Sequence, residues 1–327
     1  MNYSFFGTCA NDYEQFFGCL NTILNQSILP KEIILVNAGN KDIKKNILDK
    51  IKNKNIKLVY IHKKTSRVKS LNLAVDQSTS KYSLRFDSRS RFSKCYSKNA
   101  LKILNDRDLK VSAVGGVPDI IPNSNKFESI LCASIMRRSY IFFYPKHRNK
   151  KYCGFASSIY LGCFNTELLK KIRFNEEEAL LSEDSLIIND FLKKGYKAYL
   201  SPSINLSYVS RSSFVNIIKL FNTYGFCRAN TILLSKKLFI SSRHFFVFLS
   251  IIFTITFLLK LTYISLIFLP IILIFLNLVG EIIFFRNEFK IYIPFYATMC
   301  QFSWILGFIW SLISIFRNKN TKSNFIS

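Results

Sequence analysis

Several acidic and basic residues of this 327-residue chain stand at spacings that can do chemistry. Glu183 and Asp184 sit side by side at the start of an apolar helical pattern. Asp87 and Arg89 flank Ser88 directly after the strand-like run Tyr82-Ser83-Leu84-Arg85-Phe86. A fixed carboxylate can take a proton from a hydroxyl, or hold a cation that in turn holds phosphate. An arginine fork binds phosphate oxygens itself but cannot ligate a metal. Each feature also has a structural reading. Acidic residues in a first helical turn complement the helix dipole, and a strand-end carboxylate can be a solvated loop residue. Asp12 and Asn37 follow other apolar runs. Arg67 and Lys69 open a helical stretch near Asn72, where a solvated basic face fits as well as a phosphate contact.

These residues need a scaffold, and the pattern around them supplies one. An apolar run over 3–8 precedes a helical stretch that Asn11 and Asp12 open and that reaches Gln26, before Pro30. Glu32-Ile33-Ile34-Leu35-Val36 reads as a buried strand ending in the polar turn Asn37-Ala38-Gly39-Asn40. Helical patterns over 42–53 and 67–77 alternate with strands over 56–62 and 82–86. Such alternation predicts an α/β domain with a mostly parallel sheet. Ligands of such sheets gather at the carboxyl ends of strands, where Asn37 and Asp87 fall. Ser182 reads as an N-cap before Glu183 and Asp184, with Leu186, Ile187, Ile188, Phe191 and Leu192 as the apolar face. Lys193, Lys194 and Gly195 close that helix.

From residue 244 onwards the composition changes. Phe, Leu and Ile dominate three apolar segments over 244–259, 262–279 and 292–316, and a spanning helix needs about 20 such residues. C-terminal transmembrane helices, about three spans over 244–316, are therefore expected, with a polar tail over 317–327. Basic residues before the first and third segments favour the cytoplasm, but so do Arg317, Lys319 and Lys322, which leaves the number of crossings open. Residues 211–243 contain Arg211, Lys219, Arg228, Lys236, Lys237 and Arg243 and no acid, with Phe214, Ile217, Ile218 and Phe221 at helical spacing. That pattern fits a basic amphipathic helix on an anionic leaflet, or one packed on the preceding domain. The net charge of +26 calls for an acidic partner. Beside apolar segments, lipid and phosphate fit better than nucleic acid, for which no recognition motif is present. Lys146, His147, Arg148, Lys150 and Lys151 form a cluster suited to a lipid phosphate or to a solvated loop. The eight cysteines form no C-x-x-C pair, which predicts reduced thiols and neither a disulfide framework nor a zinc site. No signal peptide opens the chain, so residues 1–243 are expected in the cytoplasm.

An ordered set of short motifs resembles the family 2 glycosyltransferases, inverting enzymes with a GT-A fold. Asn11-Asp12-Tyr13-Glu14, Cys19-Leu20 and Leu24-Asn25-Gln26 match the family's first helix in spacing, and Pro30 and the strand to Val36 follow. Arg85-Phe86-Asp87-Ser88-Arg89-Ser90 falls where the family has its metal-binding Asp-x-Asp. Val114-Gly115-Gly116-Val117, Gly162, Ser182-Glu183-Asp184, Gly195-Tyr196, Ser201-Pro202, Arg211-Ser212-Ser213 and Tyr224-Gly225 continue the series. The resemblance spans about 3–230, and its later part with the C-terminal spans is most similar to succinoglycan-type exopolysaccharide glucosyltransferases.

The resemblance implies a GT-A catalytic domain over 1–210, with Asp184 as catalytic base ahead of Glu183. It also implies donor contacts from Asp87, Arg89, Asn37, Asp12 and Arg67. Two departures stand out. Arg89 replaces the second aspartate, which puts in doubt a Mg or Mn ion held by Asp87, and Asn37 replaces an aspartate that contacts the nucleotide. The expected activity is transfer of one sugar from a nucleotide-diphospho-sugar donor to a lipid-linked oligosaccharide at the cytoplasmic membrane, with no nucleic-acid partner. Transfer directly to polyprenyl phosphate is the alternative on the same surface. A degenerate, non-catalytic membrane scaffold is the alternative of another class, motivated by Asn37 and Arg89.

Overall fold

In the computed structural model the described residues are 2–138, 149–176, 183–234, 264–285, 288 and 290–317. The expected Ser182 cap, Lys146 to Arg148 of the basic cluster, Lys236, Lys237 and Arg243, the segment 244–259 and the tail beyond Arg317 lie outside them. Two units divide the chain: Met1–Asp119 with Lys146–Val209, and Ile120–Pro145 with Ser210–Phe325.

The first unit is built on β1 (Tyr3–Cys9), β2 (Glu32–Asn37), β3 (Lys57–His62), β4 (Tyr82–Asp87) and β5 (Ser90–Phe92). To these it adds β6 (Val111–Gly115), β8 (Gly154–Phe155), β9 (Cys163–Asn165), β10 (Lys197–Leu200) and β11 (Leu206–Val209). At β7 (Pro118–Ile121) the chain passes from one unit to the other. Its helices are α1 (Tyr13–Leu24), α2 (Lys44–Ile51), α3 (Arg67–Asp76), α4 (Tyr96–Leu104), α6 (Thr166–Ile172) and α7 (Glu183–Lys193), with α5 (Phe127–Arg138) in the second unit.

The main sheet runs β3-β2-β1-β4-β9-β6-β10-β8. The alternation read from the sequence holds through β1 to β4, which pair in parallel as a βαβ series must. Beyond β4 the sheet is mixed. The short β9 enters antiparallel between β4 and β6, and β8 lies antiparallel on β10. Apolar periodicity is the same for either direction, so the sequence pattern did not distinguish them. The register lines up the carboxyl ends of four strands, pairing Cys9 with Asn37, Asn37 with His62 and Thr8 with Asp87. Phe5, Phe16, Leu20, Ile33, Leu35, Leu84 and Phe86 fill the core between the sheet and its helices. Glu32, buried on β2, is matched by the Thr79 and Ser80 backbone N–H groups at 2.7 and 3.1 Å and by both their hydroxyls, as a sealed carboxylate requires.

The second unit is helical. Besides α5 it contains α8 (Phe214–Leu234), α9 (Ile264–Phe284) and α10 (Tyr292–Arg317). Helices α8 and α10 approach backbone to backbone: a Cβ on Gly225 would collide with the Trp304 carbonyl, and one on Gly307 with that of Asn222. Ser303 Oγ donates to Ile218 O at 2.8 Å, and Asn222 Nδ2 to Ser303 O at 3.1 Å. Part of the apolar stripe expected to meet lipid is thus spent on protein. Ile217 is fully buried, and the Phe214 ring sits edge-on to Tyr296. Between α9 and α10, Asn277 Nδ2 donates to Thr298 Oγ1 and Gln301 Oε1, each at 2.9 Å. Arg138 Nε, at the end of α5, meets Glu281 of α9 at 2.9 and 2.7 Å. Among the described residues one helix, Tyr292–Ser314, is long and apolar enough to cross a membrane, and Leu273–Ile283 is a shorter apolar stretch.

Candidate active site

Strand alternation puts Arg85 and Asp87 on one face of β4, because residues two apart point the same way. Both belong to one chain of ion pairs. Arg67, in the first turn of α3, donates from Nη2 to Asp87 Oδ2 at 2.8 Å and from Nε to Glu183 Oε1 at 2.7 Å. Arg85 donates from Nη2 to the same Glu183 oxygen at 2.8 Å and from Nη1 to Asp184 Oδ1. The result is an unbroken alternation of charge: Asp87, Arg67, Glu183, Arg85, Asp184. Four of the residues expected at the site, Asp87, Arg67, Glu183 and Asp184, are therefore brought together.

The carboxylates differ in access. Glu183 is 4% exposed and Asp184 25% exposed. Burial pushes the Glu183 carboxyl up, but Arg67 and Arg85 overcome it and hold it down at about 2. Burial also pushes Asp184 up. There Arg85 pulls against it while the charge of Glu183 pushes further, and Asp184 stays above the ordinary aspartate range. Burial works against ionised Asp87 as well, yet Arg67 and the Arg89 N–H keep it below its ordinary value. Glu183 is thus a permanent anion sealed between two arginines, whereas Asp184 is a reachable carboxylate able to take a proton.

Backbone strain marks the same spot. Leu161 has φ +62°, a conformation that branched residues rarely adopt, and Gly162 follows at +88°. Leu161 N donates to Asp184 Oδ2 at 3.4 Å, and Gly162 O accepts from Arg85 N at 3.0 Å. Beside them the buried Tyr160 hydroxyl has no hydrogen-bond partner among the described residues. Burial raises that phenol well above its ordinary value, and the charges of Asp87 and Asp184 add to the effect.

Other expected donor contacts are placed differently. Asp12 precedes α1 without capping it through its side chain and pairs instead with Arg89 Nη2 at 2.8 Å. Arg89 N donates to Asp87 Oδ1 at 3.1 Å, so this pair adjoins the chain of charges. Asn37 is buried and committed to its own turn. Its Nδ2 donates to Lys41 O at 2.7 Å and Tyr60 Oη at 2.9 Å, while Oδ1 accepts from Gly39 N at 3.0 Å. It shapes the loop after β2 and does not join the cluster. Asp42, just before α2, accepts from Lys44 N at 2.9 Å.

The donor set does not suit a cation held by protein alone. Both oxygens of Asp87 accept from arginines, Arg89 offers no lone pair, and no three His, Cys, Asp or Glu side chains among the described residues come together as a metal site. Sequence reading passed over Arg85, Tyr160 and Leu161. Arg85 did leave a signal: an arginine inside an apolar strand, two residues before a strand-end aspartate, is a charge that must be buried with a partner.

Residues 8–165 match the family model described as glycosyl transferase family 2. The stretch includes Arg67, Arg85 and Asp87 but stops before Glu183 and Asp184. Over 233 residues, 66% of this chain and 69% of the relative, the sequence is 24% identical to a Methanococcus voltae protein. That relative is named dolichyl N-acetyl-alpha-D-glucosaminyl phosphate 3-beta-D-2,3-diacetamido-2,3-dideoxy-beta-D-glucuronosyltransferase. In fold the chain is similar to a mannosyltransferase of Pyrobaculum calidifontis solved with GDP-Man and Mn2+. The TM-score is 0.56 and the identity 16%, over 96% of this chain and 87% of the other. Those likenesses, with the strand-end acid and its arginines in place, count against a non-catalytic scaffold: residues 8–165 are matched by the family 2 model, the fold is GT-A, and the protein is a glycosyltransferase.

Proposed function

We propose that the enzyme moves one sugar, with inversion, from a nucleotide-diphospho-sugar to a lipid-linked saccharide at the cytoplasmic face of a membrane to which its C-terminal helices anchor it. The observation that carries the chemistry is the unequal carboxylate pair. Asp184 takes the proton of the acceptor hydroxyl as that oxygen bonds to the anomeric carbon. The bond from that carbon to the diphosphate breaks, and the nucleoside diphosphate leaves with the electron pair. Arg67, 41% exposed with Nη1 unbonded among the described residues, can donate to the departing phosphate. Asp87 and Arg89 border the same place. A divalent cation, when bound with the donor, would supply further positive charge.

Support for a lipid-linked acceptor comes from the archaeal relative, whose name specifies a dolichyl phosphate-linked sugar, and from the apolar α9 and α10. Outward-facing Ile271, Phe275, Phe295, Leu306 and Trp310 are each at least half exposed, an apolar surface that suits hydrocarbon better than water. A place in surface polysaccharide synthesis, as in the succinoglycan-type enzymes, belongs to the same proposal. The test is to incubate membranes containing wild type or Asp184→Asn with labelled UDP-Glc, UDP-GlcNAc or GDP-Man, plus lipid extract from cells of the same source. Lipid label made by wild type and lost in an equally abundant Asp184→Asn is the expected result. Label at wild-type level in the variant would remove Asp184 from its role, and a labelled lipid bearing only one sugar would instead point to polyprenyl phosphate as acceptor.

A further inference from the structure

We infer that Arg85 is a positioning residue for the transfer reaction: from inside the sheet it decides which carboxylate of the pair is the base, and it aims that carboxylate. The inference rests on Asp184 being the base. Arg85 is 1% exposed and lies on the strand that ends at Asp87. Its two terminal nitrogens are divided between Glu183 and Asp184. A planar fork fixes both distance and angle, so the two acids are held as a unit against β4. Lysine can make only a point contact.

The guanidinium is itself held. Phe174 lies under it, 5.4 Å from the ring centre, and Asn72 secures the Phe174 backbone in both directions, with Nδ2 donating to O at 2.9 Å and Oδ1 accepting from N at 3.0 Å. Asn72 and Arg67 share helix α3, so the helix that supplies the exposed arginine also fixes the platform of the buried one. A residue that merely balanced charge would not need this support.

Among the described residues the charged and titratable groups facing Asp184 are Arg85 from β4, Glu183 from its own helix, Arg67 from α3 and Tyr160 beside Leu161. Glu183 opposes ionisation of Asp184, while the arginines favour it. Weakening Arg85 therefore raises the pH below which Asp184 is protonated and idle.

The experiment compares wild type, Arg85→Lys, Arg85→Met and Asp184→Asn as full chains in membranes, measuring label transfer from the donor that wild type uses, across pH. Arg85→Lys is expected to lower kcat by about tenfold or more, with its acid limb moved upward by about one pH unit and donor KM nearly unchanged. Arg85→Met goes further the same way, and if it does not fold, the lysine variant decides. Superimposable pH profiles for wild type and Arg85→Lys, or a loss confined to donor KM, overturn the positioning role. An active Asp184→Asn is a separate failure, because it removes the base on which the inference rests.

Discussion

Two buried charge clusters in this protein invite comparison. In the second unit Arg138 and Glu281 are 1% and 0% exposed and bonded through Nε to both carboxylate oxygens, while a second acid, Glu288, lies 3.7 Å from Nη2 and is 62% exposed. Phe285 lies 4.4 Å from that guanidinium. In the first unit two arginines face three carboxylates, and one of those, Asp184, keeps an opening at 25% exposure. A sealed carboxylate with both oxygens bonded to one arginine is out of reach of a substrate, so the Arg138–Glu281 pair serves to hold two helices together. A cluster with one acid too many leaves that acid poorly compensated, raised above its ordinary pKa and able to react. What separates structural burial of charge from functional burial here is where the extra acid sits: Glu288 stands mostly in solvent, whereas Asp184 is mostly covered and beside another carboxylate.

The largest effect that tests this contrast is on activity alone. Asp184→Asn removes the surplus acid and should cut transfer by about a hundredfold to ten-thousandfold, with a thermal midpoint equal to or above wild type. A midpoint that fell with the activity would show that Asp184 is part of the scaffold. Next comes an effect on stability alone. Glu281→Gln or Arg138→Met, leaving one charge buried without its partner, should each cost about 3–5 kcal/mol in detergent unfolding. The double change Arg138→Met with Glu281→Leu should recover most of that loss, and an equally unstable double variant would mean that the pair does more than close the packing. A smaller and mixed outcome is expected for Glu183. Its carboxyl is held down at about 2, below the ordinary glutamate value, so its stabilisation is complete above that ordinary value and fades as pH falls towards 2. Wild type should thus lose stability through this range on acid titration, and Glu183→Gln, less stable at neutral pH, should show a shallower acid loss. Parallel titration curves would contradict the ion-pair chain. Smallest is Gly225→Ala, for which overpacking costs about 1–3 kcal/mol, visible as a lower melting point with transfer per folded molecule unchanged.

Much of the first unit was legible because local patterns there agree with the tertiary fold. The apolar runs before Asn37 and Asp87, the helix that begins after Asp12 and the acidic start of α7 all stand where the apolar period puts them. The direction of β9 was not legible, since a three-residue strand carries no information about its neighbours. Nor was the fate of Asn37, whose amide is used up by Lys41, Tyr60 and Gly39, contacts that only the folded turn creates. Arg85 was visible as a motif letter but not as a partner, because its acids lie about a hundred residues later, at 183 and 184. In the second unit the apolar composition announced α9 and α10. It could not say that α8 would turn Ile217 and Gly225 onto α10, since a stripe of that kind packs equally well on lipid or on protein.

The twin glycine contacts between α8 and α10 have one more consequence. Because each carbonyl rests where a side chain would otherwise stand, the two rods can interlock at a single setting, like a key cut with two notches. Sliding by one residue would drive Phe226 or Phe308 into backbone. The setting of α8 along α10 is therefore fixed by main chain as well as by side chains, and axial slippage between the two rods is closed off.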